Sequence, residues 1–168
     1  MKASRPLRNS ETQITDRDEI IKILDSCERC RIGFSDDGEP YMVPINYGYT
    51  YIDNVLTVFF HCASEGRKMD IIKKNPLVCF EVDYDTRLNP DDSPGKIAIK
   101  YESIVGVGTV QIVDDFHEKR RILGNMMKKF HRYNPFYHPT PLTDNRVHEV
   151  VILKLALDEF KAKRLLHI

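Results

Sequence analysis

Apolar and polar positions alternate along much of the chain, in short runs set off by turns. Cys30, Ile32 and Phe34 alternate with Arg31, Gly33 and Ser35, the mark of a strand with one buried face. Asp36-Asp37-Gly38-Glu39 follows, and its Asp-Gly pair favours a hairpin. Tyr41, Val43, Ile45, Tyr47, Tyr49 and Tyr51 then fall on one face of a single long strand, with Met42, Pro44, Asn46, Gly48 and Thr50 on the other. Pro44 has no N–H to give a ladder, so this strand is expected at an edge or bulged. Asp53-Asn54 turns the chain into Val55 to His61, rich in β-branched and aromatic residues. Leu77 to Tyr84 is a further strand, with Val78, Phe80, Val82 and Tyr84 on one face. Ile97, Ile99 and Tyr101 open a β-rich stretch that runs to Val113, where Gly106 and Gly108 predict a bulge or close backbone approach. Val147 to Leu157 is a last strong strand, and Phe160 to Leu166 adds a short one.

The 3.6-residue period appears in three places. Thr15 reads as an N-cap, with Asp16, Asp18 and Glu19 in the first turn and Ile20, Ile21, Leu24 and Cys27 on one face. Ser64 to Asn75 is a short helix stopped by Asn75-Pro76. Asp115 and Glu118 form a capping box ahead of a stripe of Phe116, Leu123, Met127 and Phe130. Asp85 to Gly95 and Asn134 to Arg146 read as loops. Hairpin-like strands with so few helices predict an α+β fold built on an antiparallel sheet or barrel, since a doubly wound fold needs helices between nearly all strands.

Composition narrows the functions. The chain has 168 residues, 42% apolar and 30% charged, enough for one domain with a real core. The expected division is a mobile tail over residues 1–11 and a single domain over 12–168. Lys plus Arg equals Asp plus Glu at 25 each, so no net field steers the chain to nucleic acid or to an anionic membrane. Met1 to Ser10 carries no apolar run, and no apolar stretch is long enough to span a bilayer, so the expected location is the cytoplasm. Cys27 and Cys30 form a C-x-x-C that closes a helix and opens a strand, the reverse of a thioredoxin-like motif, and no second pair completes a zinc site. They are expected to be buried thiols, and Cys79 a packing residue. His131 and His138 make no metal pattern, and no metal is expected.

Chemistry concentrates in Val55 to Lys68, where a strand runs through a tight connection straight into a helix. A helix start offers unpaired N–H groups and partial positive charge. Ser64 adds a hydroxyl, Gly66 a close backbone approach, and Arg67 and Lys68 two cations, a set suited to a phosphate. An exposed, solvated Arg-Lys pair is the alternative. His61 ends the face of Val55, Thr57 and Phe59; it is either a partly buried, backbone-bonded histidine or an imidazole that delivers a proton.

Phe60-His-Cys-Ala-Ser-Glu-Gly-Arg-Lys68 resembles the strand-to-helix signature of the 5-nitroimidazole-resistance (Nim) reductases, a branch of the pyridoxamine 5'-phosphate oxidase-related, FMN-binding split barrels. Pro40 to Tyr49, Asn75 to Asp83 and Tyr101 to Gly108 resemble it in the same order, so the likeness runs over roughly residues 12 to 160. The resemblance implies a six-stranded antiparallel split β-barrel with flanking helices, forming a homodimer with FMN at the interface. It implies that Ser64, Gly66, Arg67 and Lys68 hold the FMN phosphate. The ring would lie along Val43, Pro44, Ile45, Asn46 and Tyr47 and near Phe60 and His61, while Glu102, Ser103, Ile104 and Val105 come from the partner. Tyr47, Tyr49 and Phe60 would wall the ring site. The chain lacks Trp and ends Phe160-Lys-Ala-Lys-Arg-Leu-Leu-His-Ile168, without the C-terminal Arg and Trp motif of true pyridoxamine phosphate oxidases. Two functions fit: an FMN-dependent reductase of a small planar acceptor such as a 5-nitroimidazole, with His61 as its catalytic group, or a non-catalytic flavin- or haem-binding protein.

Overall fold

The computed structural model describes residues 10–88, 99–133, 136 and 141–165. Residues 1–9 of the tail expected over 1–11, the strand start at Ile97, much of both expected loops, His138 and Leu166 lie outside the described residues.

A turn of 3-10 helix, Ser10–Thr12, leads into β1 (Gln13–Ile14) and helix α1 (Arg17–Ser26). Then come β2 (Arg29–Asp36), β3 (Glu39–Asn46), β4 (Gly48–Ile52), β5 (Val55–Cys62), α2 (Arg67–Lys74), β6 (Leu77–Leu88), β7 (Ile99–Val113), α3 (Phe116–Tyr133), α4 (Asp144–Glu149) and β8 (Val151–Leu165). The strands form one antiparallel sheet in the order β3-β2-β6-β7-β8-β5-β4, with β1 also on β8. The fold is therefore α+β, as expected, but the sheet has eight strands, not six, and it is not closed.

The sheet's two end strands, β3 and β4, are joined by Tyr47 alone. The single expected strand through Tyr51 is thus two strands on opposite edges, and the sheet must curl to bring those edges within one residue of each other. Pro44 lies on an edge strand, where its missing N–H costs no ladder bond. The two hairpins close as their sequences predict: Asp37 and Gly38 have φ of 50° and 94°, and Asp53 and Asn54 have 50° and 62°.

Between β7 and β8 the register slips after Val107, which pairs with Glu159, to Gly108, which pairs with Leu157. A Cβ on Gly108 would lie 2.2 Å from the Ala156 carbonyl oxygen, so only glycine fits this bulge. The two strands expected near the C-terminus are one, β8, and the segment before it holds α4 where a loop and a strand start were expected. Thr143 caps α4, accepting from the Arg146 N–H at 3.5 Å. At α1 the N-cap is Asp16, not Thr15: its carboxylate takes the Asp18 and Glu19 N–H groups, both at 3.0 Å. Asp115 does cap α3, accepting the Glu118 N–H at 2.7 Å.

Two cores lie on opposite faces of β5 and β8. The concave side holds Ile32, Phe34, Tyr47, Leu56, Val58, Phe60, Phe80 and Ile104, covered by Ile23 and Leu24 of α1 and Ile71 and Ile72 of α2. The other side packs Phe59 and Ile152 against Ile122, Leu123 and Met126 of α3 and Val147 of α4. Among the described residues, no helix is long and apolar enough to cross a membrane.

Candidate functional site

At the end of β5 the chain passes through Ala63 to Gly66 and starts α2. Gly66 is the N-cap at φ 114°, ψ 166°, a conformation side-chain-bearing residues rarely adopt, and no side chain caps the helix. Nothing lies within 4 Å of where its Cβ would be, so the space above it is open. The Gly66 carbonyl accepts from Met69 at 2.8 Å and Asp70 at 3.2 Å. The amides of Arg67 and Lys68 precede the first rung of the ladder. Ser64 and Arg67 are exposed and Lys68 half-buried around this start. The four residues expected to hold a phosphate are thus within one turn of chain, at an uncapped helix start with open space over it.

Arg67 is already engaged. Its Nε lies 3.0 Å from Asp36 Oδ2, its Nη2 2.8 Å from Glu39 Oε1, and its guanidinium 4.6 Å above the Tyr41 ring. Asp36 and Glu39 flank the β2–β3 turn, so these pairs dock α2 on the hairpin. Both pairs are solvent-accessible, and such pairs are held weakly, so an anion at the helix start can compete for the guanidinium.

The expected ring wall is different. Tyr47 and Phe60 are fully buried, and Tyr47 Oη donates to the Leu24 carbonyl at 2.8 Å while its ring meets Phe80 edge-on. These side chains are packed into the core. Val43 and Ile45 are half-buried against the same core, whereas Pro44, Asn46 and Met42 point outward. On β7, Ile104 is core and Glu102 is buried in an ion pair with Arg164, which also meets Glu19 at 2.5 Å. Of the four residues expected from β7, only Ser103 and Val105 reach the surface.

The outward members do come together. Pro44 pairs with Arg31, Arg31 with Glu81, and Glu81 with Val105, one row across four strands. The next row is Met42, Gly33, Cys79 and Val107. Cys79 is exposed in this row, not a packing residue as expected. Met42, Leu77, Val105 and Val107 leave this face apolar, and Arg31, ion-paired to Glu81 and Asp83, crosses it.

His61 lies on the other face of β5, beside Ile152, and lines a cavity of about 200 Å³ with Leu123, Met126, Met127, Phe130 and Arg146. Burial, and then the Lys68 ammonium, lower its pKa from 6.5, so at neutral pH the imidazole is uncharged. His61 therefore feels the start of α2 and borders an apolar cavity at once.

The sequence model for pyridoxamine 5'-phosphate oxidase matches residues 16–164. The chain belongs to that family. No curated protein matches it. Among solved structures it resembles a candidate 5-nitroimidazole antibiotic resistance protein of Bacteroides thetaiotaomicron, at 27% identity and TM-score 0.76, over 90% of this chain and 86% of that one. A flavocytochrome of Azotobacter vinelandii matches at 16% and 0.76, over 99% and 75%. A FAD- and haem-binding protein of Mycobacterium smegmatis matches at 19% and 0.70, over 91% and 73%. At those identities the last two speak for the fold alone.

This pyridoxamine 5'-phosphate oxidase family member also holds groups that the strand pattern did not reveal. Asp36 and Glu39 read as turn residues, yet they hold Arg67. Lys129 lies in a basic run yet is 5% exposed. Its position, seven after Ile122 and three after Met126, places it on the buried stripe of α3, and that phase was the available signal. Cys27 and Cys30 are buried free thiols, and burial pushes both up to about 12. At that value they stay protonated and are poor nucleophiles.

Proposed function

We propose that the chain binds FMN between two copies of itself and uses it to reduce a small planar acceptor of the 5-nitroimidazole kind. The observation that carries this is the start of α2: an uncapped helix end at a positive-φ glycine, open above, with Ser64, Arg67 and Lys68 around it. This fits a phosphate in donor type and charge. The family match favours flavin as the group that bears the phosphate, and the likeness to the Bacteroides protein favours a nitroimidazole as the acceptor.

Ser64, Arg67 and Lys68 would hold the phosphate, Arg67 after giving up Asp36 and Glu39. The outward side of β3, with Met42, Pro44 and Asn46, is the part of the expected ring-binding stretch left free by the core. FMN bound there would carry the electrons to the acceptor. The chain's own part is to bind the phosphate, to bury the apolar face of Met42, Leu77, Val105 and Val107 against a second copy, and to shield the site from water. That face is what two-fold pairing would cover.

Freshly purified protein gives the test. A yellow protein that releases FMN on denaturation, and oxidises a reduced nicotinamide when metronidazole is added, supports the reading. A colourless protein that takes up no added FMN ends it. A Soret band would move it to haem, and bound FMN without turnover to a flavin-binding protein.

A further inference from the structure

A second cleft, of about 330 Å³, opens between α1, β4 and the C-terminal half of α3. Four basic side chains line it: Arg17, Lys128, Lys129 and Arg132. Asp25 is the one acid among its described lining residues. In a chain with 25 cationic and 25 acidic residues, that is a local excess of positive charge. Asp25 is already shared, accepting from Arg132 at 2.5 Å and from the Tyr49 hydroxyl at 2.8 Å.

The acidic partners of these side chains, Asp25 for Arg132 and Asp18 for Arg17, offset only part of this crowding of basic groups. Lys128 and Arg132 stand four apart and Lys129 and Arg132 three apart on one helix, where like charges repel. The dipole at the end of α3 favours cations in its last turn. That accounts for exposed basic residues there, but not for a lysine set into the wall of a cleft, where an ammonium loses solvation. Lys129 lies at the floor, its Nζ 2.9 Å from the Cys27 carbonyl and 3.2 Å from the centroid of the Tyr47 ring. Arg17 is fixed at the other wall by the Tyr51 carbonyl at 3.1 Å. A fixed guanidinium and a buried amine from two helices therefore face one space, with Lys128 and Arg132 at its rim.

We propose that this cleft binds a small dianion, a phosphate group or its chemical equivalent, gripped by Arg17, Lys128 and Arg132 with Lys129 beneath it. The half-buried Tyr49 ring gives the body that carries the anion a flat wall. The site shares no residue with Ser64 to Lys68, so it stands whether or not FMN binds there.

The test is calorimetric titration of the full chain with inorganic phosphate. Wild type should bind it saturably, and Lys73→Gln, at an exposed position outside both sites, should bind it as wild type does. Arg17→Gln with Lys128→Gln should weaken it about tenfold or more, each charged hydrogen bond being worth about that factor. Lys128→Glu, at an exposed position, should do the same without touching the Tyr51 carbonyl, and so reports even where the double variant folds poorly. No saturable binding in wild type overturns the proposal. So does binding that the cleft variants leave unchanged, or a loss that Lys73→Gln shares equally with them.

Discussion

The ammonium of Lys129 sits 3.2 Å from the centre of the Tyr47 ring, inside the protein and over an aromatic face. Tyr47 is the single residue that carries the chain from one edge of the sheet to the other. Its hydroxyl is tied to α1 and its ring to Phe80, so Lys129 pins α3 to the link between the two sheet edges. A cation–π contact offsets part of what the buried charge loses in solvation, not all of it. Burial accordingly lowers the Lys129 pKa from 10.5 to about 7.

Stability should therefore depend on pH in a definite direction. Between about pH 7 and 10.5 the unfolded chain holds a proton on Lys129 that the folded chain gives up, so stability rises with pH in that window. Cys27 and Cys30 act the other way above pH 9, their ordinary value, because burial lifts both to about 12 and the unfolded chain then ionises first. Urea midpoints should climb from pH 7 to 9 and fall beyond it. Lys129→Met should flatten the climb and leave the fall; an undiminished climb in that variant would assign it elsewhere.

Arg67 should matter to FMN more than to folding. Its pairs with Asp36 and Glu39 are exposed, so Arg67→Ala should barely move the thermal midpoint. FMN should bind about tenfold more weakly or worse, while riboflavin, which lacks the phosphate, is much less affected. Glu39→Gln should tighten FMN, because one competitor for the guanidinium is gone. Equal losses of FMN and riboflavin in Arg67→Ala would remove Arg67 from the phosphate site.

Much of this could be read in advance, and the misses share a cause. The hairpin turns at Asp37-Gly38 and Asp53-Asn54, the bulge at Gly108 and the Asp115 cap were legible because each is set by local backbone chemistry. So was the Ser64 to Lys68 segment, where the helix start and its cations are adjacent in sequence. The split at Tyr47 was not, because Tyr41 to Tyr51 keeps one period-2 pattern while the chain changes sheet edge. Which strands pair is a long-range fact, and alternation reports only which face is buried. The same limit hid Tyr47 and Phe60: an aromatic residue beside a site and one beneath it look alike in sequence. The Arg67 carboxylates join elements far apart in the chain, which no spacing rule reaches, and the helical phase of Lys129 points to its burial but not to its partners.

The outward face of β3, β2, β6 and β7 should be a dimer interface. Val105 is 45% exposed and Met42 62%, apolar positions that a second copy would cover. Val105→Glu places a carboxylate opposite Lys161 on β8, a pairing that suits the single chain and opposes burial between two. Sedimentation should show wild type as a dimer and Val105→Glu as a monomer with unchanged circular dichroism and weaker FMN binding. A monomeric wild type that binds FMN tightly would contradict the shared site.

His61 should shape the acceptor step, and its setting fixes how. It borders the apolar cavity of Met126, Met127 and Phe130 on one side and feels Lys68 on the other. Nitro reduction takes up protons as well as electrons. A histidine with a lowered pKa is uncharged at pH 7, so it holds its extra proton only in more acid solution. If it is the donor, oxidation of pre-reduced protein by metronidazole should speed up as pH falls below 6.5, and His61→Ala should erase that rise. The variant should keep its FMN yet lose about 100-fold or more in this half-reaction, in the range for a general acid. Loss of flavin together with rate would make His61 a packing residue. Stopped-flow traces of wild type and His61→Ala across this pH range separate the two outcomes, and superimposable profiles would take His61 out of the chemistry.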